Sequence, residues 1–218
     1  MTDKQISRAV IRRLPRYFRY LGELKDDGIE KISSQELSEI MHVTASQIRQ
    51  DLNNFGGFGQ QGYGYNVSFL YDEIGKILGL NHTHSLVLIG AGNLGRALAG
   101  YVNFEKRGFI MKGIFDISSD VIGDTIRDIP IMPIEEMPAF IKEHNIDIGV
   151  IAIPKTAAVS IAKTLVDCGV RAIWNFSHVD LDVPDDVIVE SVHLSESLMR
   201  LSYNINVYNS EHGIWEDD

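Results

Sequence analysis

The sequence of 218 residues has little that would suggest a membrane segment, a disulfide or a metal site. Its single cysteine, Cys168, cannot form an internal disulfide, which suits a reducing cytoplasm. No apolar run approaches the roughly 18 residues that a membrane-spanning helix needs. The first residues lack the apolar core of a secretory signal, and the seven histidines show no metal-ligand spacing. We therefore expect a cytoplasmic protein with no membrane segment and no bound metal.

Proline is scarce, and proline and glycine together make up 25 of the 218 residues, too few for a disordered chain. The 44% of hydrophobic residues is enough for one large domain or two small ones. The net charge of −10 is unevenly distributed, because residues 1–80 carry ten basic and ten acidic side chains whereas residues 81–218 carry ten and twenty. Six of the basic side chains lie within residues 1–22. This asymmetry predicts a basic working surface in the first part of the chain.

Two short capped helices are predicted in the first part. Residues 33–36 (Ser-Ser-Gln-Glu) form a capping box, and residues 44–47 (Thr-Ala-Ser-Gln) form a second one. Two capped helices with a short turn between them are typical of a helix-turn-helix. A longer helix over residues 6–24 precedes them, with a kink or a break expected at Pro15. The apolar residues expected to pack together in the pair are Leu37, Ile40, Val43, Ala45, Ile48 and Leu52.

A β-hairpin is predicted directly after the second capped helix. Glycine and aromatic residues alternate over residues 55–65, as in tight hairpins. A hairpin in this position would be the wing of a winged helix. Residues 67–80 are predicted to form a helical linker, so that residues 1–80 make up a winged-helix DNA-binding domain.

The remainder of the chain alternates strands with helices. Strands are predicted at residues 85–89, 109–115, 147–153 and 170–174. Their near-continuous apolar character is typical of buried parallel strands, and the βαβ order predicts a doubly wound parallel sheet over residues 81–194. The fold class is therefore α/β, with a Rossmann domain behind the winged helix.

The strongest motif is G-x-G-x-x-G at Gly90, Gly92 and Gly95, between a strand and a helix. In this setting the glycines allow a tight turn, the approach of a pyrophosphate to backbone amides, and close packing of helix on strand. Asp116, at the end of the next strand, is placed to accept hydrogen bonds from a ribose 2′-hydroxyl, which favours NAD(H) over NADP(H). The alternative is a turn that binds no nucleotide and uses its glycines for packing alone.

A catalytic base is hard to find in this second part. Lys155 and His178 follow strands at the edge where ligands bind, but neither has an evident partner in the sequence. Residues 84–193 also leave no room for a substrate domain. We therefore predict a binding protein and not an enzyme. Two alternatives stay open: a small NAD-dependent oxidoreductase with a regulatory appendage, and a repressor that binds another nucleotide such as CoA.

The candidate DNA contacts form two groups. Arg8, Arg12, Arg16 and Arg19 recur at helical spacing and could meet phosphates, although such a stripe on its own is more often a solvated face. Arginine reads guanine, and glutamine or asparagine reads adenine, through paired hydrogen bonds in the major groove. The polar side chains expected to point outward from the second capped helix are Ser46, Gln47, Arg49, Gln50 and Asn53.

Along nearly its whole length the chain resembles the Rex family of redox-sensing transcriptional repressors. The matching stretches are residues 6–8, 14–17, 33–37, 49–52, 55–59, 62–65, 90–95 and 174–176. The wing segment, Phe-Gly-Gly-Phe-Gly followed by Gly-Tyr-Gly-Tyr, is highly specific in combination with the glycine fingerprint. It is less specific by itself.

The resemblance implies a homodimer in which the C-terminal helix, residues 195–208 of a segment running to 218, is swapped into the partner. It implies binding to palindromic operators upstream of fermentation and respiratory genes. NADH would close the dimer and release the DNA, whereas NAD⁺ would be compatible with DNA binding.

The resemblance also implies roles for individual residues. The cofactor site would be formed by Gly90, Ala91, Gly92, Asn93, Leu94, Gly95, Tyr101, Asp116, Ile153, Pro154, Asn175 and Phe176. Within it, residues 90–95 would hold the pyrophosphate, Asp116 the adenosine ribose, and residues 153–154 and 175–176 the nicotinamide end. The DNA-binding positions would be Arg12, Arg16, Ser33, Ser34, Thr44, Ser46, Gln47, Arg49, Gln50, Asn53, Phe58, Gly59, Gln60, Gln61, Gly62 and Tyr63.

Two positions depart from the family pattern. Gln50 stands where the family usually has lysine, and Gln60 and Gln61 stand where the wing is usually basic. Each lost phosphate contact should lower the salt dependence of DNA binding by about one charge. Operator affinity and preference are therefore expected to differ from those of the typical member.

Overall fold

A computed structural model describes residues 7–54, 59–60 and 64–214. The chain divides into two compact units, Met1–His82 and Thr83–Asp218. The division falls two residues after the predicted boundary at residue 80, and the predicted C-terminal segment belongs to the second unit. Among the described residues no helix is long and apolar enough to cross a membrane.

The first unit is mainly helical with a small antiparallel sheet. The strands pair in the order β1-β3-β2, and β2 and β3 form a hairpin directly after α3. This hairpin occupies the position predicted for the wing. In chain order the elements of the first unit are α1 (Arg8–Asp26), β1 (Lys31–Ile32), α2 (Ser34–Met41), α3 (Ala45–Asn53), β2 (Gly59–Gln60), β3 (Gly64–Asn66) and α4 (Val67–Ile77).

Of the kink or break predicted at Pro15, the break does not occur, because helix α1 continues through this residue. Leu14 before the proline and Tyr17 and Leu21 after it are fully buried, and this packing holds both halves of the helix in place. Pro15 itself is exposed, as is Ile11, whose carbonyl loses its helical donor. Water can therefore satisfy that carbonyl on the open side of the helix.

Helix α4 is part of the core of the first unit and is not the linker predicted from the sequence. Its Val67, Leu70 and Ile74 are fully buried in the same cluster as the apolar side of α1. The Phe18 ring on α1 stacks on the Tyr71 ring on α4 with 4.2 Å between their centroids. The two helices form one packed layer beneath the helix-turn-helix.

Both helices of the predicted helix-turn-helix are capped, but only the first cap is reciprocal. Ser33 Oγ accepts from the Glu36 amide at 3.1 Å, and Glu36 Oε2 accepts from the Ser33 amide at 2.7 Å, which also lowers the pKa of the Glu36 carboxyl. Thr44 Oγ1 accepts from the Gln47 amide at 3.1 Å, while the Gln47 side chain turns elsewhere. The second box predicted from the sequence is therefore half formed.

The apolar pairing predicted for these helices needs one correction. Ile40 is 36% exposed, and the core position at the end of α2 is taken by Met41, which is 1% exposed. Ile40 and Met41 are adjacent in the sequence, so the apolar pattern alone did not decide which of them is buried.

The second unit is a doubly wound α/β domain. Its seven strands lie in the order β10-β9-β8-β4-β5-β7-β6, and all pairings are parallel except that of β6 with β7. In chain order the elements are β4 (His84–Ile89), α5 (Asn93–Ala99), the 3₁₀ helix η1 (Val102–Arg107), β5 (Phe109–Asp116), β6 (Thr125–Ile126), β7 (Ile129–Pro133), the 3₁₀ helix η2 (Ile134–Glu136), α6 (Met137–His144), β8 (Ile148–Ile151), α7 (Lys155–Asp167), β9 (Ala172–Asn175), β10 (Ile188–Ser191) and α8 (Leu194–Glu211).

The strand order reverses at β4. The chain moves from β4 to β5 and β7 on one side, and from β8 to β9 and β10 on the other. A crevice opens beyond the carboxyl ends of the strands at such a reversal, and ligands of this fold class bind there. The glycine motif follows β4 at this point.

The sheet is covered on both faces by separate apolar clusters. One cluster joins Val87, Phe115 and Ile151 to α6 and α7, and the other joins Leu86, Leu88 and α5. Alternate residues of β4 thus point to opposite faces, as the pleat requires.

Candidate functional site

The glycine turn after β4 is packed against the neighbouring strand β8. Gly90 has a φ of +102°, a conformation that side-chain-bearing residues rarely adopt. A Cβ at this position would lie 2.5 Å from the Ala152 carbonyl oxygen and 2.7 Å from Ile153 Cγ2. The first glycine is therefore required both by the backbone conformation and by the close approach of the loop after β8.

The other two glycines have opposite environments. A Cβ at Gly95 would lie 1.8 Å from the Gly90 carbonyl oxygen, so this glycine permits the close packing of α5 on the turn. A Cβ at Gly92 would have no heavy atom of the described residues within 4 Å, and φ at Gly92 is an ordinary −70°. Packing within the protein therefore requires glycine at positions 90 and 95, whereas no such contact requires glycine at position 92. Open space at the second glycine is what an approaching pyrophosphate requires.

The peptide groups of Ala91 are fixed on both sides. Asp116 Oδ2 accepts from the Ala91 amide at 2.6 Å, and Arg96 Nε donates to the Ala91 carbonyl at 3.1 Å. Arg96 is itself held by Asp124, with 3.0 Å between Nη2 and Oδ2. Side chains of the protein therefore hold the backbone of the turn on both sides of Ala91. Sequence reasoning missed Arg96, although its position one residue after the last glycine points it back along the helix.

Asp116 lies at the carboxyl end of β5, as predicted. Its Oδ1 accepts from the amides of Ile117 and Ser118 at 2.8 and 2.9 Å, while Oδ2 accepts from Ala91. A carboxylate offers about four acceptor positions, so one on Oδ2 remains for a hydroxyl group. Asp116 can thus support the turn and still bind a ribose hydroxyl.

Gly92 and Asn93 are exposed and Leu94 is half-buried, so these residues of the motif face the crevice or its edge. Gly92 is the N-cap of α5, and no side chain of the described residues bonds to this cap. Amides at the start of a helix carry partial positive charge and suit a phosphate.

The other candidate cofactor residues follow β8 and β9. Ile153 is half-buried against Gly90, and Pro154 is exposed at the start of α7. Asn175 is fully buried, and its Nδ2 donates to the Val179 carbonyl at 2.9 Å and to Ser191 Oγ at 3.2 Å.

The buried Asn175 amide also receives hydrogen bonds on its oxygen. Oδ1 accepts from the Ser177 amide at 3.0 Å and from the Ser177 hydroxyl. Its side chain therefore shapes the loop after β9 and joins it to β10. Phe176, the neighbouring residue, is half-buried.

Tyr101 and Phe176 belong to one row of aromatic side chains. Tyr101 packs edge-on against Phe104 with 4.8 Å between centroids, Phe104 against Trp174 with 5.5 Å, and Trp174 against Phe176 with 4.6 Å. Tyr101 is 46% exposed at the outer end of the row. Two residues that were predicted separately, 75 positions apart in the sequence, are thus connected through packed rings.

The two candidates for a catalytic base remain without an acidic partner. Lys155 is exposed at the first position of α7, and the exposed His178 ring stacks on His193 with 5.7 Å between centroids. Within the described part of the chain, neither contacts a carboxylate, and no group of His, Cys, Asp and Glu side chains is arranged to hold a metal ion.

In the first unit, the outward face of α3 gathers four of the predicted DNA-reading residues. Ser46, Arg49, Gln50 and Asn53 line one shallow polar depression together with Asn54. Arg49 Nη1 donates to Ser34 Oγ on α2 at 2.9 Å, so its guanidinium is oriented by the first turn of the preceding helix. The structure places these side chains on one surface, as the helical spacing predicted.

Gln47, the fifth predicted reader on α3, faces inward. Its Nε2 donates to Asp51 Oδ1 at 2.8 Å. Asp51 is fully buried and also accepts from Arg13 Nε and Nη2, both at 2.7 Å, and from the Tyr17 hydroxyl at 2.9 Å. Sequence reasoning missed this network because Arg13 and Asp51 are 38 residues apart.

The network perturbs the ionisation of its members. Burial works against the charged form of Asp51, but hydrogen bonds from Arg13, Gln47 and Tyr17 outweigh it, so the pKa of the Asp51 carboxyl is lowered. Burial and the bond to Asp51 raise the pKa of Tyr17. The bond to Asp51 also raises the pKa of Arg13.

The arginines of α1 have different surroundings. Arg12 is exposed, whereas Arg16 Nη2 donates to the carbonyl of Met41, the last residue of α2. The Arg16 guanidinium also lies over the Tyr20 ring, 5.8 Å from its centroid. Arg16 thus binds the carboxyl end of α2, where orphan carbonyls are available.

Part of the predicted wing lies outside the described residues. Of its candidate contacts, Gly59 and Gln60 form β2, paired with Tyr65 and Gly64 of β3. Phe58, Gln61, Gly62 and Tyr63 fall in the segments that the structure does not describe.

Two protein-family models match the chain, one in each unit. The model described as "Putative DNA-binding protein N-terminus" matches residues 5–53. The model described as "CoA binding domain" matches residues 81–179. The order of the two matches is the order of the two units.

Curated relatives match nearly the full chain. The redox-sensing transcriptional repressor Rex of Thermoanaerobacter pseudethanolicus (strain ATCC 33223 / 39E) is 60% identical over 202 residues, 93% of this chain and 90% of the relative. The chain belongs to the Rex family of redox-sensing transcriptional repressors. The Rex proteins of Clostridium novyi (strain NT) and Clostridioides difficile (strain 630) are 54% and 56% identical over 94% and 92% of this chain, which are 98% and 96% of those relatives.

Solved structures of a Rex-family repressor have the same fold. The crystal structure of RSP in complex with beta-NAD⁺ and operator DNA has a TM-score of 0.89 and 57% identity, with 97% of this chain and 98% of that chain covered. The structure of RSP in complex with beta-NADH has a TM-score of 0.88 and 54% identity, with 98% and 100% covered. The predicted fold class, a DNA-binding domain followed by a Rossmann-like parallel sheet, is thereby confirmed. The Rex relatives are named as repressors, in agreement with the prediction of a regulator and not an enzyme.

Proposed function

We propose that this chain is a transcriptional repressor that binds operator DNA and is released from it by NADH. It would thereby respond to the NADH/NAD⁺ ratio of the cytoplasm. The observation that carries the proposal is the glycine turn, in which Gly90 and Gly95 are demanded by packing while Gly92 faces open space. Family membership supports the same function, since a homologous repressor was crystallised with NAD⁺ and operator DNA, and with NADH.

The ligand would lie across the strand-order reversal. Its pyrophosphate would meet the amides of residues 92–95, and its adenosine ribose would bind the remaining acceptor position of Asp116. A carboxylate at that point repels a 2′-phosphate, which favours NADH and NAD⁺ over their phosphorylated forms. The nicotinamide end would lie near Ile153, Pro154 and Phe176, with Tyr101 at the far end of the aromatic row.

The DNA would be read by α3 in the major groove. Ser46, Arg49, Gln50 and Asn53 line its outward face, and Arg49 has the donor pair that recognises guanine. Arg12 and Arg16 would meet the phosphate backbone, and the wing would lie along the minor groove or the backbone.

We further propose that the active form is a homodimer assembled through α8. None of the residues of α8, all of which the structure describes, is buried. Its eight large apolar side chains are 37–69% exposed. An 18-residue helix with so much exposed apolar surface is expected to be covered by a partner.

The apolar residues of α8 form two stripes on opposite sides of the helix. At 3.6 residues per turn, one stripe consists of Leu194, Leu198, Leu201, Ile205 and Tyr208, and the other consists of Met199, Tyr203 and Val207. Polar residues separate the two stripes. A helix with two apolar sides can be covered on both, which supports its insertion into a partner subunit.

Release of DNA would be a population shift. NADH must bind the dimer that is unable to hold DNA more tightly than the dimer that holds it, because a ligand without such a preference shifts nothing. A hundredfold preference corresponds to about 2.7 kcal/mol per site.

The proposal is tested by DNA binding with and without the nucleotides. A palindromic operator is enriched by the wild-type protein from a random-sequence DNA pool, and the complex is titrated with NADH and with NAD⁺ in a gel-shift assay. We expect NADH to release the DNA and NAD⁺ to leave it bound. An unaltered complex at saturating NADH would contradict the sensing function.

CoA is a second candidate ligand, because the family model matching residues 81–179 is described as a CoA binding domain. Isothermal titration with NADH, NAD⁺, NADPH and CoA separates the two, with Asp116→Ala as the matched variant. Because Asp116 also holds the Ala91 amide, a loss of the preference for NADH over NADPH in this variant, and not weaker binding alone, supports the ribose contact. CoA binding that is indifferent to Asp116, together with no NADH binding, would replace NADH with CoA.

A further inference from the structure

A hydrogen-bond network around the buried Asp51 carboxylate joins α1 to α3. Its carboxylate accepts two hydrogen bonds from Arg13, one from Tyr17 and one from Gln47. A carboxylate has about four acceptor positions, so all of them are used. Arg13 and Tyr17 belong to α1, whereas Gln47 and Asp51 belong to α3.

Stability alone is a weak reason for such a group. The Arg13 side chain is 32% exposed, so its pair with the fully buried Asp51 is only partly buried. Even a fully buried ion pair can often be replaced by well-packed apolar residues without loss of stability. What the pair provides is geometry, because two parallel hydrogen bonds from a planar guanidinium fix the direction of the carboxylate. Helix α1, itself packed on α4, thereby fixes how α3 is rotated about its own axis.

The rotation of α3 decides which side chains can meet the bases. Successive residues of an α-helix point in directions that differ by about 100°. In the observed setting Ser46, Gln50 and Asn53 line the outward depression, and Asp51 lies beneath them in the core. A modest rotation would exchange outward side chains for buried ones.

The same network removes Gln47 from the reading surface. A glutamine that recognises adenine needs both its amide nitrogen and its amide oxygen. One N–H of Gln47 Nε2 donates to Asp51 Oδ1 at 2.8 Å, and this bond turns the amide inward, away from the outward face of α3. Gln47 thus supports Asp51 from the same helix, one turn away.

We propose that Asp51 is a positioning residue for operator recognition. Through Arg13 it sets the rotation of α3, and it holds Gln47 away from the DNA. This inference rests on the proposed DNA-binding function and adds that base preference depends on a residue that touches no base.

Three variants test the network, and one controls for stability. Asp51→Asn turns one acceptor into a donor facing Arg13. Arg13→Lys keeps the positive charge but loses the two-pronged bond, and Gln47→Ala removes the supporting amide. Leu70→Ala is the control, because Leu70 is fully buried in the same core and takes no part in the network.

Each variant is measured by fluorescence anisotropy against the operator selected by the wild type, its single base-pair variants and random DNA, at a temperature where melting curves show it folded. We expect Asp51→Asn and Arg13→Lys to lose at least about tenfold in operator affinity, comparable to a mismatched base pair. Binding to random DNA should change less than about threefold, since it depends on charge. Gln47→Ala leaves both hydrogen bonds from Arg13 to Asp51 in place, so its operator affinity should fall by less than about threefold, a loss smaller than that of one mismatched base pair and not confined to a single base pair. Leu70→Ala should lower both affinities by the same factor.

The outcome is decisive even if Asp51→Asn does not fold, because Arg13→Lys and Gln47→Ala then carry the test. Wild-type base preference in Arg13→Lys would overturn the proposal, as would a tenfold loss at a single A·T pair in Gln47→Ala. Failure of the wild-type protein itself to select any operator would overturn the proposed function. That outcome is distinct from both of the others.

Discussion

Replacing Gly92 by alanine adds one methyl group at the point where α5 begins. The added Cβ has no heavy atom of the described residues within 4 Å, and the local φ of −70° and ψ of −171° suit any residue. Folding should therefore tolerate the substitution. Any change in the free energy of unfolding should stay within about 1 kcal/mol, because reduced freedom of the unfolded chain favours alanine whereas the N-cap position of α5 favours glycine.

Ligand binding should respond very differently to the same methyl group. It occupies the space through which a pyrophosphate would approach the backbone amides of the turn. A hydrogen bond to a charged group contributes about 1.5–3 kcal/mol. The loss of one such bond corresponds to roughly a ten- to hundredfold weaker affinity, at 1.4 kcal/mol per tenfold. NADH and NAD⁺ should weaken by similar factors, since they share this part of the molecule.

The matched control is Gly95→Ala, in which the Cβ would lie 1.8 Å from the Gly90 carbonyl oxygen. Overpacking of this kind costs typically about 1–3 kcal/mol, and more where backbone must move. Calorimetric melting and isothermal titration of both variants give stability and affinity separately. We expect Gly92→Ala to melt like the wild type and bind poorly, and Gly95→Ala to melt early. An unchanged NADH affinity in Gly92→Ala, or an equal loss of thermal stability in both variants, would refute this reasoning.

Other predictions concern the reading surface, the dimer and acid stability. Arg49→Ala should cost roughly 1–3 kcal/mol of binding free energy on the operator and relax the preference at one base pair. Arg16→Ala should instead weaken binding to all sequences alike. Fluorescence anisotropy on operator and random DNA distinguishes the two variants, and identical profiles would contradict the assignment of α3 as the reading helix. Ile205→Glu, on an apolar stripe of α8, should dissociate the dimer in sedimentation experiments while Asn204→Glu, on a polar side, should not; equal masses would argue against α8 as the interface. Because the pKa of Asp51 is lowered in the folded protein, its ionised form stabilises the fold above the unfolded-state value of about 4, and this contribution is lost as the pH falls through the lower folded value. Denaturant titrations between neutral and acidic pH give the unfolding free energies of the wild type and of Asp51→Asn. The difference between them should shrink below about pH 4. A difference that does not vary with pH would show that Asp51 is not charged in the fold.

Local signals in the sequence were sufficient for the features that depend on neighbouring residues. The capping box of Ser33 and Glu36 and the glycine turn at residues 90–95 formed as predicted, because their determinants lie within a few positions of one another. The strands β6, β7 and β10 were missed. Two of them, β6 and β10, lie at the edges of the sheet, where the apolar pattern is short or mixed with polar residues.

Features that depend on distant partners could not be predicted in this way. Asp51 lies between Gln50 and Leu52 on a short, largely polar helix and resembles a solvated side chain in the sequence. Only the fold brings Arg13 and Tyr17 to it, and this contact also diverts Gln47 from the reading surface. Pro15 removes one helical hydrogen bond, as its chemistry requires. Buried residues on both sides of it nevertheless keep α1 continuous.

The anchoring of Ala91 by Asp116 and Arg96 has a consequence for how such a sensor measures its signal. Because Asp116 and Arg96 hold the turn, the turn should bind the adenosine diphosphate half of the nucleotide firmly. That half is the same in NADH and NAD⁺. When the combined pool of the two exceeds what is needed to fill the site, the site is never empty, and each molecule displaces the other. The fraction holding NADH then depends on the proportion of the two forms and not on how much nucleotide the cell contains. A preformed binding site for the shared half thus makes a nucleotide-binding protein respond to the NADH/NAD⁺ ratio.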